Sequence, residues 1–262
     1  MCSTGLLEEQ GRILSNSYLG RNLYLLTVES PELARLMEPG QFVHTLIPGM
    51  EGHILRRPFS VYATDTQAGT MDILYQTVGF GTAHLASLEA GEVISNIGPI
   101  GHGWRAPDGC KRALIVCGGV GAAPLFMHTQ ALIDAGIEVD VVLGAQTAEA
   151  MVCADRYRKI LGKDPVIATD DGSLGFSGFC TVPAQELLNA NSYDYLCCCG
   201  PEPLMRIVAR MAAEAGVYCQ ISMEKRMACG VGACLSCVID TSCGKQRCCV
   251  DGPVFNAEEV IW

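Results

Sequence analysis

Between residues 12 and 97, apolar and polar positions alternate over short stretches broken by glycine and proline, at 22–28, 41–47, 59–63, 71–76 and 92–97. Period-two segments at this spacing predict an antiparallel β-barrel. Residues 81–89 lack the alternation and predict a short helix across the barrel mouth. A turn-rich stretch at 98–103 closes the region, and 106–109 reads as a linker. After Lys111 the period changes. An apolar run at 113–117 enters a glycine turn, a helical stretch covers 122–134, and a second apolar run covers 137–143, which together make a βαβ unit. Further strands are expected at 165–169, 193–199 and 217–221, with helices at 154–161 and 203–214. The fold class is therefore a β-barrel plus α/β, with a parallel sheet flanked by helices on both faces. From Met223 onward cysteine and glycine dominate. That composition cannot build a core of its own size, so a small appendage held by a metal centre is expected. Three domains follow, over 1–107, 108–222 and 223–262.

Composition narrows the function. The chain has 262 residues, 49% apolar and 18% charged, ample for packed cores near the size where one core gives way to two. Its formal charge of −10, with no basic run, argues against a nucleic-acid surface. Residues 1–10 carry Glu8 and Glu9 and neither a basic start nor a sustained apolar stretch, so no secretory signal is read there. Apolar runs such as 113–117 are strand-sized, too short to cross a bilayer. A cytoplasmic protein with no membrane and no nucleic-acid partner is expected. In a reducing compartment its 15 cysteines are not a disulfide framework, and the odd count prevents complete pairing.

Cys229, Cys234 and Cys237 follow the spacing C-x4-C-x2-C, with Cys248 and Cys249 downstream. This is the plant-type 2Fe-2S pattern. Gly230 and Gly232 give the loop the freedom to turn several N–H groups toward the sulfurs. A zinc site on Cys234, Cys237, Cys248 and Cys249 is the alternative; it leaves Cys229 idle and asks two adjacent cysteines to bind one ion. Spacing alone does not choose between Cys248 and Cys249. The other cysteines, including Cys197-Cys198-Cys199, sit mostly in apolar segments and read as small buried hydrophobes.

Two segments suggest nucleotides. Gly118-Gly119-Val120-Gly121-Ala122-Ala123-Pro124 follows a strand and opens a helix, where backbone can approach a pyrophosphate; it could equally be a tight connection. It ends in Ala-Pro, and Gly144-Ala145-Gln146-Thr147 offers no acidic residue at the end of the second strand, so it departs from the dinucleotide fingerprint. Arg56-Arg57-Pro58-Phe59-Ser60-Val61-Tyr62 offers a cation, a hydroxyl and a ring to a flavin diphosphate, or is an ordinary strand with a solvated arginine pair.

Taken in order, the barrel, R-P-F-S, G-G-V-G-A-A-P, the C-G-P at Cys199-Gly200-Pro201 and the cysteine tail running into Asp251-Gly252-Pro253-Val254-Phe255 resemble the ferredoxin-NADP reductase superfamily. Within it, the chain is similar over essentially its whole length to the electron transfer subunits of dihydroorotate dehydrogenase B. The resemblance implies that Arg57, Pro58, Phe59 and Ser60 bind FAD together with Leu74, Tyr75, Gln76, Gly81 and Thr82. It implies that Gly118, Gly119, Gly121, Ala122, Pro124, Cys199, Gly200 and Pro201 face a nicotinamide nucleotide. The family's last ligand lies two residues before the Asp of D-G-P-V-F, which implies a 2Fe-2S cluster on Cys229, Cys234, Cys237 and Cys249 and leaves Cys248 a departure without a role. The absence of Arg or Lys in 144–148 favours NAD over NADP. A nicotinamide gives two electrons at once and a cluster takes one, so a flavin is needed between them, and no side chain is assigned an acid–base role. The implied partner is an FMN-bearing dihydroorotate dehydrogenase catalytic subunit, in a heterotetramer. The alternatives are an NAD(P)H:ferredoxin oxidoreductase subunit of a bifurcating complex and, from another class, a zinc-stabilised non-enzymatic binding module.

Overall fold

The computed structural model describes residues 5–262; the expectation of no signal at 1–10 lies in part outside them. The first third of the chain gives β1 (Leu7–Gly20), β2 (Leu23–Glu29), β3 (Phe42–Leu46), β4 (Arg57–Ser60), β5 (Ala63–Asp65), β6 (Thr70–Gln76) and β7 (Val93–Ile100), with two single-turn helices, α1 (Pro31–Leu36) and α2 (Phe80–Leu85). The strands form one antiparallel sheet in the order β4-β3-β7-β1-β2-β6-β5. It curls round a core that includes Leu26, Val28, Leu33, Val43, Met71 and Ile73, all buried. The expected barrel is thus present in an open form, with β4 and β5 as its edges.

Strand β1 and helix α1 were not predicted. β1 pairs with β2 on one side and β7 on the other, and its register with β2 shifts between Ile13 and Ser15 and between Tyr18 and Gly20. Each shift exchanges the faces of the strand and erases the period-two signal. Helix α1 is too short to show a period; it starts at Pro31, and the Glu9 carboxylate of β1 accepts the Leu33 N–H at 2.9 Å.

The second unit contains β8 (Arg112–Gly118), α3 (Ala123–Asp134), β9 (Glu138–Ala145), α4 (Ala154–Leu161), β10 (Val166–Thr169), β11 (Phe176–Ser177), α5 (Thr181–Ala190), β12 (Tyr195–Cys199), α6 (Glu202–Ala215) and β13 (Tyr218–Ser222). Alternation on β8 explains the layers. Ala113, Ile115 and Cys117 join the core beneath α3 and α4, whereas Leu114 and Val116 join the core beneath α5 and α6. Helix α5 is an addition to the expected elements. Its Thr181-Val182-Pro183 start has poor helix propensity, but proline is tolerated in a first turn.

The tail joins the parallel sheet through one antiparallel strand. After a hairpin of β14 (Val238–Thr241) and β15 (Gly244–Arg247), strand β16 (Val254–Asn256) returns to pair antiparallel with β13, matching Gln220 to Asn256, Ile221 to Phe255 and Ser222 to Val254. The sheet order is β11-β10-β9-β8-β12-β13-β16. Cys237, Ile239, Cys248, Phe255 and Val260 pack in the same core as Leu196, Val208 and Ile221, and Phe42 and Ile100 of the barrel reach it too. The tail borrows a core that it could not build, a fact local composition does not carry.

The D-G-P-V-F segment is the seam. Asp251 accepts from Arg247 N at 2.8 Å and Nε at 3.1 Å, and the Gly252 carbonyl accepts the His102 N–H at 2.6 Å. A Cβ at Gly252 would stand 2.2 Å from the Phe255 ring, so only glycine fits. The barrel and nucleotide sheet are also clamped directly. Arg156 of α4 pairs with Asp72 of β6 at 2.7 Å and lies 4.7 Å over the Tyr62 ring, and Trp104 Nε1 donates to the Pro124 carbonyl at 2.9 Å. Replacing Phe255 by alanine should destabilise the fold by about 3–5 kcal/mol, read as a lower urea midpoint, because the ring supports both the β13–β16 ladder and Gly252.

Candidate functional site

The cluster loop is shaped by its backbone. Gly230 and Gly232 take φ of +68° and +81°, and Leu235 takes +60°, so the chain winds tightly between the cysteines. That winding turns the N–H groups of Val231 and Cys234 to the Cys229 sulfur, each at 3.4 Å. Cys237 Sγ and Cys249 Sγ lie 3.3 Å apart, both nearly buried. Cys234 is exposed at the rim, where the Ser236 hydroxyl and main chain hold its thiol down to about 6. Cys248 is fully buried in the same core and makes no such sulfur contact; burial pushes its thiol up to about 12, as it does that of Cys249. The donor set of four sulfurs, the N–H groups aimed at one of them and the glycine turns suit a 2Fe-2S unit.

On the barrel, the two arginines of R-R-P-F-S part company. Arg56 is a brace: Nη1 donates to the Ser95 carbonyl at 2.8 Å and its Oγ at 2.9 Å, and Nη2 pairs with Glu8 at 2.7 Å. Arg57 donates to the Leu55 carbonyl and lies against the start of α2, where a Cβ on Gly81 would meet its Nε at 2.7 Å. Its charge has no carboxylate partner among the described residues and is available to a diphosphate. Pro58 and Ser60 are half-buried beside it. The Phe59 ring points into the barrel core, edge-on to Tyr75 at 5.8 Å, so only its main chain can serve a flavin. Tyr75 is buried against Tyr24 and donates to Asn16 Oδ1 at 3.0 Å; Leu74 is buried in the core shared with the nucleotide unit, and Gln76 is exposed. The Thr82 hydroxyl accepts the Val78 N–H at 2.9 Å, which fixes the entry to α2.

In the nucleotide unit two turns press back to back at the ends of β8 and β12. A Cβ on Gly121 would stand 2.4 Å from the Cys199 carbonyl oxygen, and one on Gly118 2.6 Å from Leu204. Gly118, Gly121 and Gly200 are therefore packing glycines. Gly119, at φ +56°, has nothing within 4 Å of its missing side chain and lines a crevice with Gly144, Met151 and Val152. Ala122 and Pro124 are buried beneath the turn, Cys199 is buried, and Pro201 starts α6.

Two groups were missed by sequence reasoning. The N–H groups of Asp170 and Asp171 donate to the carbonyls of Ala145 and Gln146 at 3.0 and 3.2 Å, setting two exposed carboxylates beside the end of β9. The second strand carries no acid at its end, but the turn after the third brings two beside it; the signal was T-D-D-G-S at 169–173. Glu224, directly after β13, is exposed, and crowding by surrounding protein raises its carboxyl pKa.

Residues 224–261 match the iron-sulfur cluster binding domain of dihydroorotate dehydrogenase B, and residues 11–104 match the oxidoreductase FAD-binding domain. The chain is 36% identical to the dihydroorotate dehydrogenase B (NAD+) electron transfer subunit of Desulforamulus reducens, covering 96% of this chain and 97% of that protein. It is 36% identical to the same subunit of Bacillus caldolyticus, over 97% and 98%. Among solved structures, the NADH-dependent reduced ferredoxin-NADP oxidoreductase described for flavin-based electron bifurcation matches with a TM-score of 0.87 and 30% identity, over 100% of this chain and 92% of that one. The ferredoxin reductase of carbazole 1,9a-dioxygenase, 19% identical with a TM-score of 0.68 over 81% and 67%, shares the fold.

The contact of Cys249 with Cys237 generates a test. After anaerobic reconstitution, Cys248→Ala should retain about two irons per chain and Cys249→Ala should lose them, with FAD content as the control for folding; equal retention in both would mean that either sulfur can serve.

Proposed function

The chain belongs to the family of dihydroorotate dehydrogenase B (NAD+) electron transfer subunits, and on that premise we propose that it carries electrons released by dihydroorotate oxidation in a separate FMN-bearing catalytic subunit to NAD+. The observation that carries this reading is the seating of the cluster loop on the flavin sheet. A Cβ on Gly230 would touch His44 of β3, and β3 is hydrogen-bonded to β4, the strand of Arg57 to Ser60. When bound, FAD supplies the conversion between one-electron exchange with the cluster and two-electron exchange with the nicotinamide.

The residues divide that work. Cys229, Cys234, Cys237 and Cys249 would hold the cluster, with Val231 and Cys234 N–H groups turned to sulfur. Arg57 would neutralise the flavin diphosphate, helped by Ser60 and the main chain of Pro58 and Phe59, and the Gly119 turn would receive the pyrophosphate of NAD. The nicotinamide would approach along Cys199, Gly200 and Pro201. Asp170 and Asp171 would accept from the adenosine ribose hydroxyls and repel a 2′-phosphate, which supports NAD over NADP; the Ser173 hydroxyl and N–H hold the Asp171 carboxyl below its usual range, keeping it charged. The exposed apolar Val231 and Leu235 on the cluster loop suit a partner surface, and two such pairs would form the heterotetramer. Among the described residues, no helix is long and apolar enough to cross a membrane; a cytoplasmic location is part of the proposal.

The full-length likeness to the ferredoxin-NADP oxidoreductase structure supports a second reading, in which ferredoxin replaces dihydroorotate as the electron source. Co-expression with the FMN subunit separates the two. Dihydroorotate-dependent NAD+ reduction that needs both chains supports the first, and reduction driven only by ferredoxin supports the second. Asp170→Ser combined with Asp171→Arg should lower the ratio of kcat/KM for NAD+ over NADP+ by about tenfold or more, roughly 1.4 kcal/mol; an unchanged ratio would remove these carboxylates from the nucleotide site.

A further inference from the structure

His44 is a buried polar group that no role described so far accounts for. It sits on β3 opposite Pro58 of β4 and Ile97 of β7, and is 1% exposed. Neither ring nitrogen has a hydrogen-bond partner among the described residues. Its imidazole lies against the cluster loop: a Cβ on Gly230 would stand 2.6 Å from Nδ1, 3.2 Å from Cγ and 3.3 Å from Cε1. The main chain of Cys229 and of Arg56 adjoins the ring, and burial with the nearby Arg56 charge keeps it neutral, with one N–H and one lone pair. A leucine would fill this volume without the desolvation cost of an unpaired imidazole, so packing alone does not explain a histidine here.

We propose that His44 is a positioning residue for the 2Fe-2S cluster: with the cluster held, the Nδ1–H left unpaired here closes on the adjoining Cys229 carbonyl and steadies the 229–230 turn from the flavin-sheet side. The inference rests on the electron-transfer function proposed for the chain. That turn aims the Val231 and Cys234 N–H groups at the Cys229 sulfur. Such donors stabilise the reduced, more negative cluster, and partners beyond the ligands tune a metal centre by fixing the ligands' orientation. Loosening the turn weakens both contacts, so the reduction potential falls.

The test is a redox titration of the cluster, followed by its electron paramagnetic resonance signal, in full-length holoprotein with iron and FAD quantified. His44→Leu should lower the midpoint potential and alter the signal at full iron content. His44→Asn, whose amide N–H replaces Nδ1–H, should stay near the wild-type potential, and His44→Gln, which extends toward the Nε2 position, should behave like the leucine variant. Equal potentials in all loaded variants would overturn the proposal. If the leucine variant fails to fold, the Asn and Gln variants still decide it, because the proposal requires them to differ. A wild-type chain that binds FAD but no iron would refute the electron-transfer function itself, whereas a loaded cluster indifferent to residue 44 refutes only the role of His44.

Discussion

The antiparallel pairing of β16 with β13 is the constraint on which the rest of the molecule depends. Three residues of the tail, Val254, Phe255 and Asn256, complete the edge of the nucleotide sheet, and everything between β13 and β16 is thereby a loop closed at both ends. The cysteine segment lies inside that loop. Its own apolar content is small, but Cys237, Ile239, Cys248 and Val260 enter a core already paid for by the sheet and α6. Pairing also covers the five-residue edge of β13 and leaves in its place the three-residue edge of β16, a shorter row of unpaired backbone groups.

From this seam the positions of the cofactor-facing elements follow. Met223 N donates to the Pro253 carbonyl and His102 N to the Gly252 carbonyl, at 2.8 and 2.6 Å, so one short stretch of tail meets both the nucleotide sheet and the chain leaving the barrel. The Arg156–Asp72 pair, with the guanidinium over Tyr62, fixes the other side of the same junction. Asp72 is largely buried and Arg156 half-exposed, so this pair contributes more to registry between the two units than to net stability. Electron transfer between bound groups falls steeply with separation, and a junction held on two sides keeps that separation constant without any moving part.

Chemistry and scaffold are interleaved at the level of neighbouring residues. Arg56 braces three strands while Arg57 presents its charge; Cys248 fills the core while Cys249 meets Cys237; Gly118 and Gly121 permit close packing while Gly119 leaves open space. In each pair the two residues are of the same type and adjacent or nearly so. What separates their roles is which way the backbone turns the side chain.

This sets the division between what was legible in the chain and what was not. The sequence by itself determined the order of the units, because hydrophobic period is a local property, and it determined the cluster type, because C-x4-C-x2-C with two glycines restricts the chemistry within nine residues. It could not reveal β1, whose register shifts cancel the alternation, nor α5, whose first turn has weak propensity. It could not bring Cys249 against Cys237, Asp170 and Asp171 beside the end of β9, or His44 beneath Gly230. Those facts join residues between 12 and 186 positions apart, and only the packing of sheet, helix and tail in three dimensions decided them.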